Sequence, residues 1–142
     1  QRPDVLVADT TQAVVLRSGA GWGLVTGRTG SFAVDAWAEH YQQPIEAAAE
    51  GVRCDSLGCV AATDRFSIAV VRNAAAFAED CGRHDLLVAR QTVPAGGGGQ
   101  VIAADDFARG GVHWLRWNDA TGRFDIRLAI DNLNRPWRVS PP

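Results

Sequence analysis

Short apolar runs separated by glycine and polar turns dominate the first part of the chain. Residues 3–9, 13–18 and 22–27 are three such runs, and each has the length and the flanking residues of a β-strand. Because the breaks between them are short and either polar or glycine-rich, the pattern predicts an antiparallel meander.

The spacing of apolar residues changes to a helical period after residue 31. Ser31 is placed to cap a helix whose apolar residues recur at helical spacing through residues 32–43. After Pro44, the alanine-rich stretch 45–51 predicts a further turn of helix that is closed by Gly51.

The central stretch, residues 53–90, organises the rest of the chain. Its order predicts a strand, a turn bracketed by Cys54 and Cys59, a second strand, a helix and a third strand. Asn73 and Gly82 stand where the N-cap and the C-cap of that alanine-rich helix are expected. A strand, a crossover helix and a following strand predict a right-handed βαβ unit with a parallel pair.

The last part of the chain contains the clearest hairpin. It spans residues 112–130, alternates between two faces and turns at residues 119–122. Before it, residues 101–111 predict a short strand and then a helix that begins at Asp105 or Asp106. Together the elements predict an α/β fold of mixed β-sheets with helices on the outer faces.

Composition limits the class of protein. The 142 residues suggest one domain of ordinary size, and an apolar fraction of 46% is enough to form a core. The net charge of -2 provides no global basic field for nucleic acid. No apolar run reaches the roughly 18–20 residues of a membrane helix. We expect residues 1–142 to be a single soluble domain excised from a larger membrane protein.

Residue types with catalytic or metal-binding chemistry are rarely grouped. His40, His84 and His113 are isolated in the sequence, so no array of metal-ligand spacing is present. Asp105 and Asp106 are adjacent, and acids in the first turn of a helix usually serve the helix dipole. The sequence therefore predicts neither a metal site nor a cofactor.

The cysteines and the tryptophans leave alternatives open. Cys54 and Cys59 could close a small ring in an oxidising compartment, although buried free thiols fit the sequence equally well. With Cys81 the count is odd, which argues against a complete disulfide framework. In the hairpin, Arg116 and Trp117 lie on a strand with aromatic side chains on both faces. One face packs on the core, and the other could present a base-stacking or partner surface, although most tryptophans are core anchors.

Segments spread over most of the chain carry one further pattern. They are PDVLVAD, AVVLRS, WGLVTGR, FAVDAW, CDSLGCVA, SIAVVRN, AFAEDC, DLLVAR, VIAADD, RGGVHWLRW and NRPW. Together they resemble the C-terminal soluble region of alphaproteobacterial ComEC competence-channel proteins, with CDSLGC and the pairing of AEDC with DLLV as the more specific parts. That region is related to metallo-β-lactamase-like hydrolases, and the resemblance implies a domain at the periplasmic face of the inner membrane.

The resemblance implies a truncated metallo-β-lactamase-like sandwich that has lost its catalytic apparatus. The HxHxDH run of those hydrolases is absent between residues 27 and 53. Arg72 and Asn73 stand where the family has a bridging Asp, and Arg90 stands where it has a late His. Arginine and asparagine side chains at these points cannot supply the ligands of a dinuclear zinc site, so we expect that the chain is not an enzyme.

The implied location also bears on the cysteines. In a periplasmic domain, Cys54 and Cys59 are expected to pair as a disulfide. Cys81 would then lack a partner, and we expect it to be buried.

The residues and the resemblance support three functional hypotheses. The leading one is a structural or single-stranded-DNA-guiding domain of a ComEC-like DNA-uptake channel, with other domains of that channel as partners. Arg72 and Arg90 would form a small cationic pocket for phosphate, and Arg116 and Trp117 would add contacts on the hairpin. The second is a metal-dependent nuclease or phosphodiesterase that uses the acidic pair and a histidine. The third is a protein interaction module without DNA affinity.

Overall fold

The chain folds as an α/β protein that is mostly β-sheet, with two mixed sheets and few helices. This confirms the class predicted from the sequence. The computed structural model describes residues 2–9, 11–19, 21–80, 82–94 and 99–129. The strands are β1 (Val5–Val7), β2 (Val14–Ser18), β3 (Gly21–Thr26), β4 (Ile45–Glu46), β5 (Arg53–Cys54), β6 (Gly58–Ala62), β7 (Ser67–Val71), β8 (Leu86–Ala89), β9 (Gln100–Ile102), β10 (Val112–Asn118) and β11 (Arg123–Ala129). The helices are α1 (Phe32–Tyr41), a 3-10 helix (Ala74–Ala76), α2 (Phe77–Asp80) and α3 (Ala104–Arg109).

The first sheet is built around the predicted meander. Its strand order is β11-β10-β1-β2-β3-β4. Strands β1, β2 and β3 pair antiparallel in sequence, and β3 pairs parallel with β4. Strand β1 also pairs antiparallel with β10, so that Val5 lies opposite Leu115. This pairing joins the two ends of the described chain in one sheet.

The second sheet contains the predicted parallel pair. Its order is β5-β6-β7-β8-β9. The β5–β6 and β6–β7 pairs are antiparallel, and the β7–β8 and β8–β9 pairs are parallel. In the parallel part, Val71 lies opposite Ala89, and Val88 lies opposite Ile102. Consequently the carboxyl ends of three strands meet at one edge of this sheet.

By its contacts the chain divides into two compact units. Unit 1 takes its described residues from 1–49, 110–116 and 126–142, and unit 2 takes its described residues from 50–109 and 117–125. The β10–β11 hairpin therefore contributes residues to both units. Each unit has its own cluster of buried side chains.

The cluster of unit 1 lies between α1 and one face of the first sheet. Ser31 caps the helix as predicted, because its hydroxyl oxygen accepts a hydrogen bond from the Val34 amide. Trp37 is only 1% exposed, and burial of a side chain this large is a main stabilising term of the unit. The buried residues of the cluster are Leu6, Ala8, Ala13, Val15, Trp22, Leu24, Ala33, Val34, Trp37 and Val112.

The cluster of unit 2 lies between the short helices and one face of the second sheet. Ala76 and Phe77 come from the 3-10 helix and the start of α2, and they pack on alternate residues of β7 and β8. Leu57, in the turn between β5 and β6, packs against the same cluster. The buried residues of the cluster are Ala69, Val71, Ala76, Phe77, Leu87 and Ala89.

The helical turn predicted at residues 45–51 is wrong. Ile45 is in a parallel strand opposite Trp22, and the Ala49 amide donates to the Leu24 carbonyl at 2.8 Å. A side chain at Gly23 would place its Cβ 2.5 Å from the Cα of Ala49, so glycine permits this close approach. Pairing with β3 therefore overrides the helix propensity of the alanines.

The helix predicted after Asn73 is present but short. The Asn73 side chain caps it as predicted by accepting a hydrogen bond from the Ala75 amide at 2.9 Å. One 3-10 turn and one α-helical turn follow, and Gly82 adopts the left-handed φ of +77° that is typical of helix ends. Cys81, and with it the prediction that it is buried, lies outside the described residues.

Candidate nucleic-acid interface

The parallel strands of unit 2 bring two of the predicted contact residues to neighbouring positions. Val71 and Ala89 are paired across β7 and β8, and the next residue of each strand is an arginine, Arg72 and Arg90. In parallel strands, residues that follow a paired position stand at the same edge of the sheet. Arg72 and Arg90 therefore both lie at the carboxyl edge, and the small cationic pocket expected of them stays a prediction.

Arg90 is held against the last helix. It is half-buried, and its guanidinium carbon lies 3.9 Å from the centroid of the Phe107 ring in α3. Stacking of this kind uses the face of the guanidinium, whereas its N–H donors lie in the guanidinium plane. The contact with Phe107 thus orients the cation.

Arg72 is exposed, but its backbone is held on both sides. Its amide donates to the Leu57 carbonyl at 2.8 Å, and its own carbonyl accepts from Nε2 of Gln91 at 2.9 Å. The Asn73 amide donates to the same Leu57 carbonyl at 3.1 Å. We refer to Leu57, Arg72, Asn73, Arg90 and Gln91 as the carboxyl-edge cluster.

A disulfide closes the turn that supplies the Leu57 carbonyl. Cys54 and Cys59 lie opposite each other in the β5–β6 pair and are joined through their sulfur atoms. Between them, the Asp55 carboxylate accepts hydrogen bonds from the amides of Leu57 at 2.8 Å and Gly58 at 3.2 Å. The turn is therefore ordered both by a covalent bond and by a side chain that mimics the backbone.

The other two predicted contact residues are placed differently. Arg116 is exposed and belongs to unit 1. Trp117 is half-buried in unit 2, with ring centroids 5.5 Å from Phe66 and 5.0 Å from Phe124. Phe66 and Phe124 are themselves 4.8 Å apart, so Trp117 completes a three-ring cluster. Packing is the role that these contacts give Trp117.

The acidic pair serves the helix that it begins. Asp106 accepts a hydrogen bond from the Ala103 amide at 2.8 Å through one carboxylate oxygen, and its other oxygen pairs with Arg109 at 2.6 Å. Asp105 is exposed in the same turn. Within the described parts of the chain, no three His, Cys, Asp or Glu side chains are grouped as a metal site would require.

No family model, no curated protein and no solved structure matches the chain. In the described residues, no helix is both long and apolar enough to cross a membrane.

His84 has partners that its sequence neighbours did not reveal. Its Nδ1 lies 3.2 Å from the Ser67 hydroxyl oxygen, and its Nε2 lies 3.6 Å from a carboxylate oxygen of Asp80. Serine, histidine and aspartate in this order are the groups of a nucleophilic triad. They lie, however, where the amino ends of β7 and β8 meet, and ligands of parallel sheets bind beyond the carboxyl ends.

Asp85, the residue after His84, has a structural role at the same strand ends. The Asp85 carboxylate accepts from the Ser67 amide at 2.9 Å, and the Asp85 amide donates to the Ser67 carbonyl at 3.0 Å. The Asp85 carbonyl in turn accepts from the Gln100 amide at 3.1 Å. These bonds fasten the amino ends of β7, β8 and β9 together. The signal in the sequence was Asp85 directly before a buried strand.

A cavity of about 550 Å³ lies beside the start of α1, and the sequence analysis did not predict it. Two glycines of the segment between β3 and α1 have left-handed φ values, +99° at Gly27 and +87° at Gly30. A Cβ at Gly27 would lie 2.6 Å from the Cα of Ala13. The lining residues are Gly27, Arg28, Thr29, Gly30, Ser31 and Ala47.

Proposed function

We propose that the chain is a non-catalytic, periplasmic domain of a ComEC-like DNA-uptake channel, with a structural or single-stranded-DNA-guiding role. On this proposal its two sheets are a truncated metallo-β-lactamase-like sandwich, and its partners are single-stranded DNA and other domains of the channel. The observation that carries the proposal is the pair Arg72 and Arg90 at adjacent strand ends. In the hydrolases that the sequence resembles, metal ligands occupy these ends.

The chemistry of these strand ends suits phosphate. Arginine pairs with phosphate oxygens through several charge-assisted hydrogen bonds, and contacts to phosphate position a strand without reading its sequence. Because the net charge of the chain is -2, attraction has to come from such local cations and not from the protein as a whole. A guiding role needs weak, sequence-independent contacts of this kind.

The two alternative functions are less well supported. A nuclease built on the acidic pair would have to displace Asp106 from its contacts with Ala103 and Arg109. An interaction module without DNA affinity would show no salt-dependent binding of oligonucleotide, and a salt titration tests this.

The test is oligonucleotide binding by an Arg72→Ala, Arg90→Ala double variant of the 142-residue chain. Fluorescence anisotropy with labelled oligothymidine at low salt should show binding weakened by roughly tenfold. The slope of log affinity against log salt should fall in magnitude by about 1.4, since each single-strand phosphate contact contributes about 0.7.

An Arg83→Ala, Arg123→Ala variant is the control for the change in net charge. Both control residues are exposed arginines of unit 2 outside the carboxyl-edge cluster. The control should bind like the parent chain, apart from a small loss from its altered charge. Equal binding by the parent, the double variant and the control would refute the proposed DNA contact.

A further inference from the structure

The disulfide and the carboxyl edge of the second sheet are connected through one backbone oxygen. The Leu57 carbonyl accepts from the Arg72 amide at 2.8 Å and from the Asn73 amide at 3.1 Å. Leu57 lies within the turn that the Cys54–Cys59 bond closes. Leu57 also directly precedes Gly58, which lies opposite Val71, so both the turn and the β6–β7 pairing set its position relative to the end of β7.

Besides the disulfide, the turn is held by the Asp55 amide, which donates to the Gly58 carbonyl at 2.8 Å, and by the β6–β7 pairing, in which Gly58 lies opposite Val71. The strand that precedes it, β5, has two residues, both exposed. The Asp55 carboxylate orders the turn internally, and the Leu57 side chain packs on the core cluster of unit 2. An exposed two-residue strand at the edge of a sheet is the kind of element that opens locally.

The two cysteines differ in exposure. Cys54 is exposed, whereas Cys59, the second residue of β6, is 1% exposed. Thiol–disulfide exchange requires that a thiolate reach one sulfur of the bond. Attack is therefore directed at Cys54, and Cys59 is the leaving group.

We infer that the Cys54–Cys59 disulfide reversibly holds the backbone of Arg72 and Asn73, the two residues that follow β7. We call this role of the disulfide the clasp. A dithiol reductant attacks the Cys54 sulfur, the S–S bond breaks, and Cys59 leaves as a thiolate that takes up a proton. The second thiol of the reductant then attacks the mixed disulfide and releases Cys54. Two electrons pass to the protein, and the reductant becomes a disulfide. The freed turn withdraws the Leu57 carbonyl from both amides.

A consequence for DNA binding rests on the proposed function. If Arg72 contacts phosphate, reduction loosens the backbone that positions it, and affinity falls while the arginine itself is unchanged. Cys54 and Cys59 would then be positioning residues for that contact. Oxidised and reduced chains would differ in single-stranded-DNA affinity by several-fold, with a loss smaller than that of the double arginine variant.

The experiment follows amide hydrogen exchange in the 142-residue chain before and after treatment with a dithiol, with thiol titration to verify reduction. Exchange at the Arg72 and Asn73 amides should rise by about tenfold on reduction and return on reoxidation. The Asp85 amide, which donates to Ser67 at the opposite edge of the same sheet, is the internal control and should not change. Oligonucleotide anisotropy is measured on the same samples.

The possible outcomes separate this inference from the proposed function. Faster exchange at Arg72 and Asn73 supports the clasp even when the oxidised chain binds no oligonucleotide, a result that removes the DNA proposal alone. Unchanged exchange after complete reduction overturns the clasp, and so does an equal rise at Asp85, which would mean general loosening. A Cys54→Ser, Cys59→Ser variant should match the reduced chain and respond to neither dithiol nor oxidant.

Discussion

The guanidinium of Arg90 stacks on the ring of Phe107, with its central carbon 3.9 Å from the ring centroid. Arg90 follows β8 and Phe107 lies in α3, so this contact joins the carboxyl edge of the second sheet to the helix that follows β9. The arginine is half-buried, and its side chain covers apolar surface while its charge remains at the edge.

We expect Phe107→Ala to lower the free energy of unfolding by about 1–2 kcal/mol, because both the stacking and the packing of the ring are lost. Phe107→Tyr retains the ring and should stay within about 0.5 kcal/mol of the parent chain. Urea denaturation measures both variants. Equal stability of the alanine and tyrosine variants would show that the ring contributes little.

The ion pair between Asp4 and Arg17 should contribute to the stability of unit 1. Asp4 is 2% exposed, and its carboxylate lies 2.9 Å from the guanidinium of Arg17. We expect Arg17→Ala to destabilise the chain by about 3 kcal/mol, since it removes the cation facing a buried carboxylate. Thermal and urea unfolding provide the measurement.

A double-mutant cycle identifies how much of that cost is the pair itself. Adding Asp4→Asn to Arg17→Ala should recover part of the loss, because the buried charge is then gone as well. If the two substitutions are strictly additive, the ion pair is not the source of the effect.

The carboxylate of Asp85 should stabilise the fold mainly by accepting a hydrogen bond from the Ser67 amide. Asp85→Ala leaves the Ser67 amide without the side chain that now accepts its hydrogen bond at 2.9 Å, and we expect a loss of about 1–3 kcal/mol. Asp85→Asn keeps an oxygen that can accept the bond and should cost less. Urea midpoints compare the two, and an asparagine variant as unstable as the alanine variant would point to the charge instead.

The close approach of Ala49 to Gly23 predicts a steric effect. Gly23→Ala should destabilise the chain by about 1–3 kcal/mol, because the new Cβ would lie within 3 Å of three backbone atoms of Ala48 and Ala49. Gly19→Ala is the matched control, since a Cβ there meets nothing within 4 Å. Thermal unfolding should separate the two variants clearly. Similar transition temperatures would contradict the steric role of Gly23 beside Ala49.

Much of the candidate site could be predicted because it follows from local patterns. Arg72 and Arg90 each come directly after an apolar run, and a βαβ unit places such residues at one edge. The contacts that hold them could not be predicted in the same way. Phe107 lies 17 residues beyond Arg90, and Leu57 lies in a turn of another strand pair. Contacts between residues this far apart in the sequence leave no helical or strand periodicity from which they could be predicted.

The sequence alone determined the elements whose signals are local. The helix cap at Ser31, the cap at Asn73, the turn between β10 and β11 and the alternation of the short strands all depend on neighbouring residues. These signals sufficed for the α/β class and for the parallel pair.

Only the tertiary structure decided the pairings between strands that lie far apart in the chain, and the pairing of a segment that was predicted as helix. The pairing of Val5 with Leu115 and of Ile45 with Trp22 arises from backbone hydrogen bonds between distant or unexpected partners. The same holds for the Ser67–His84 contact and for the two amides on the Leu57 carbonyl. Backbone donors and acceptors are alike in every residue except proline, so the choice among partners depends on packing of the whole chain and not on any local sequence pattern.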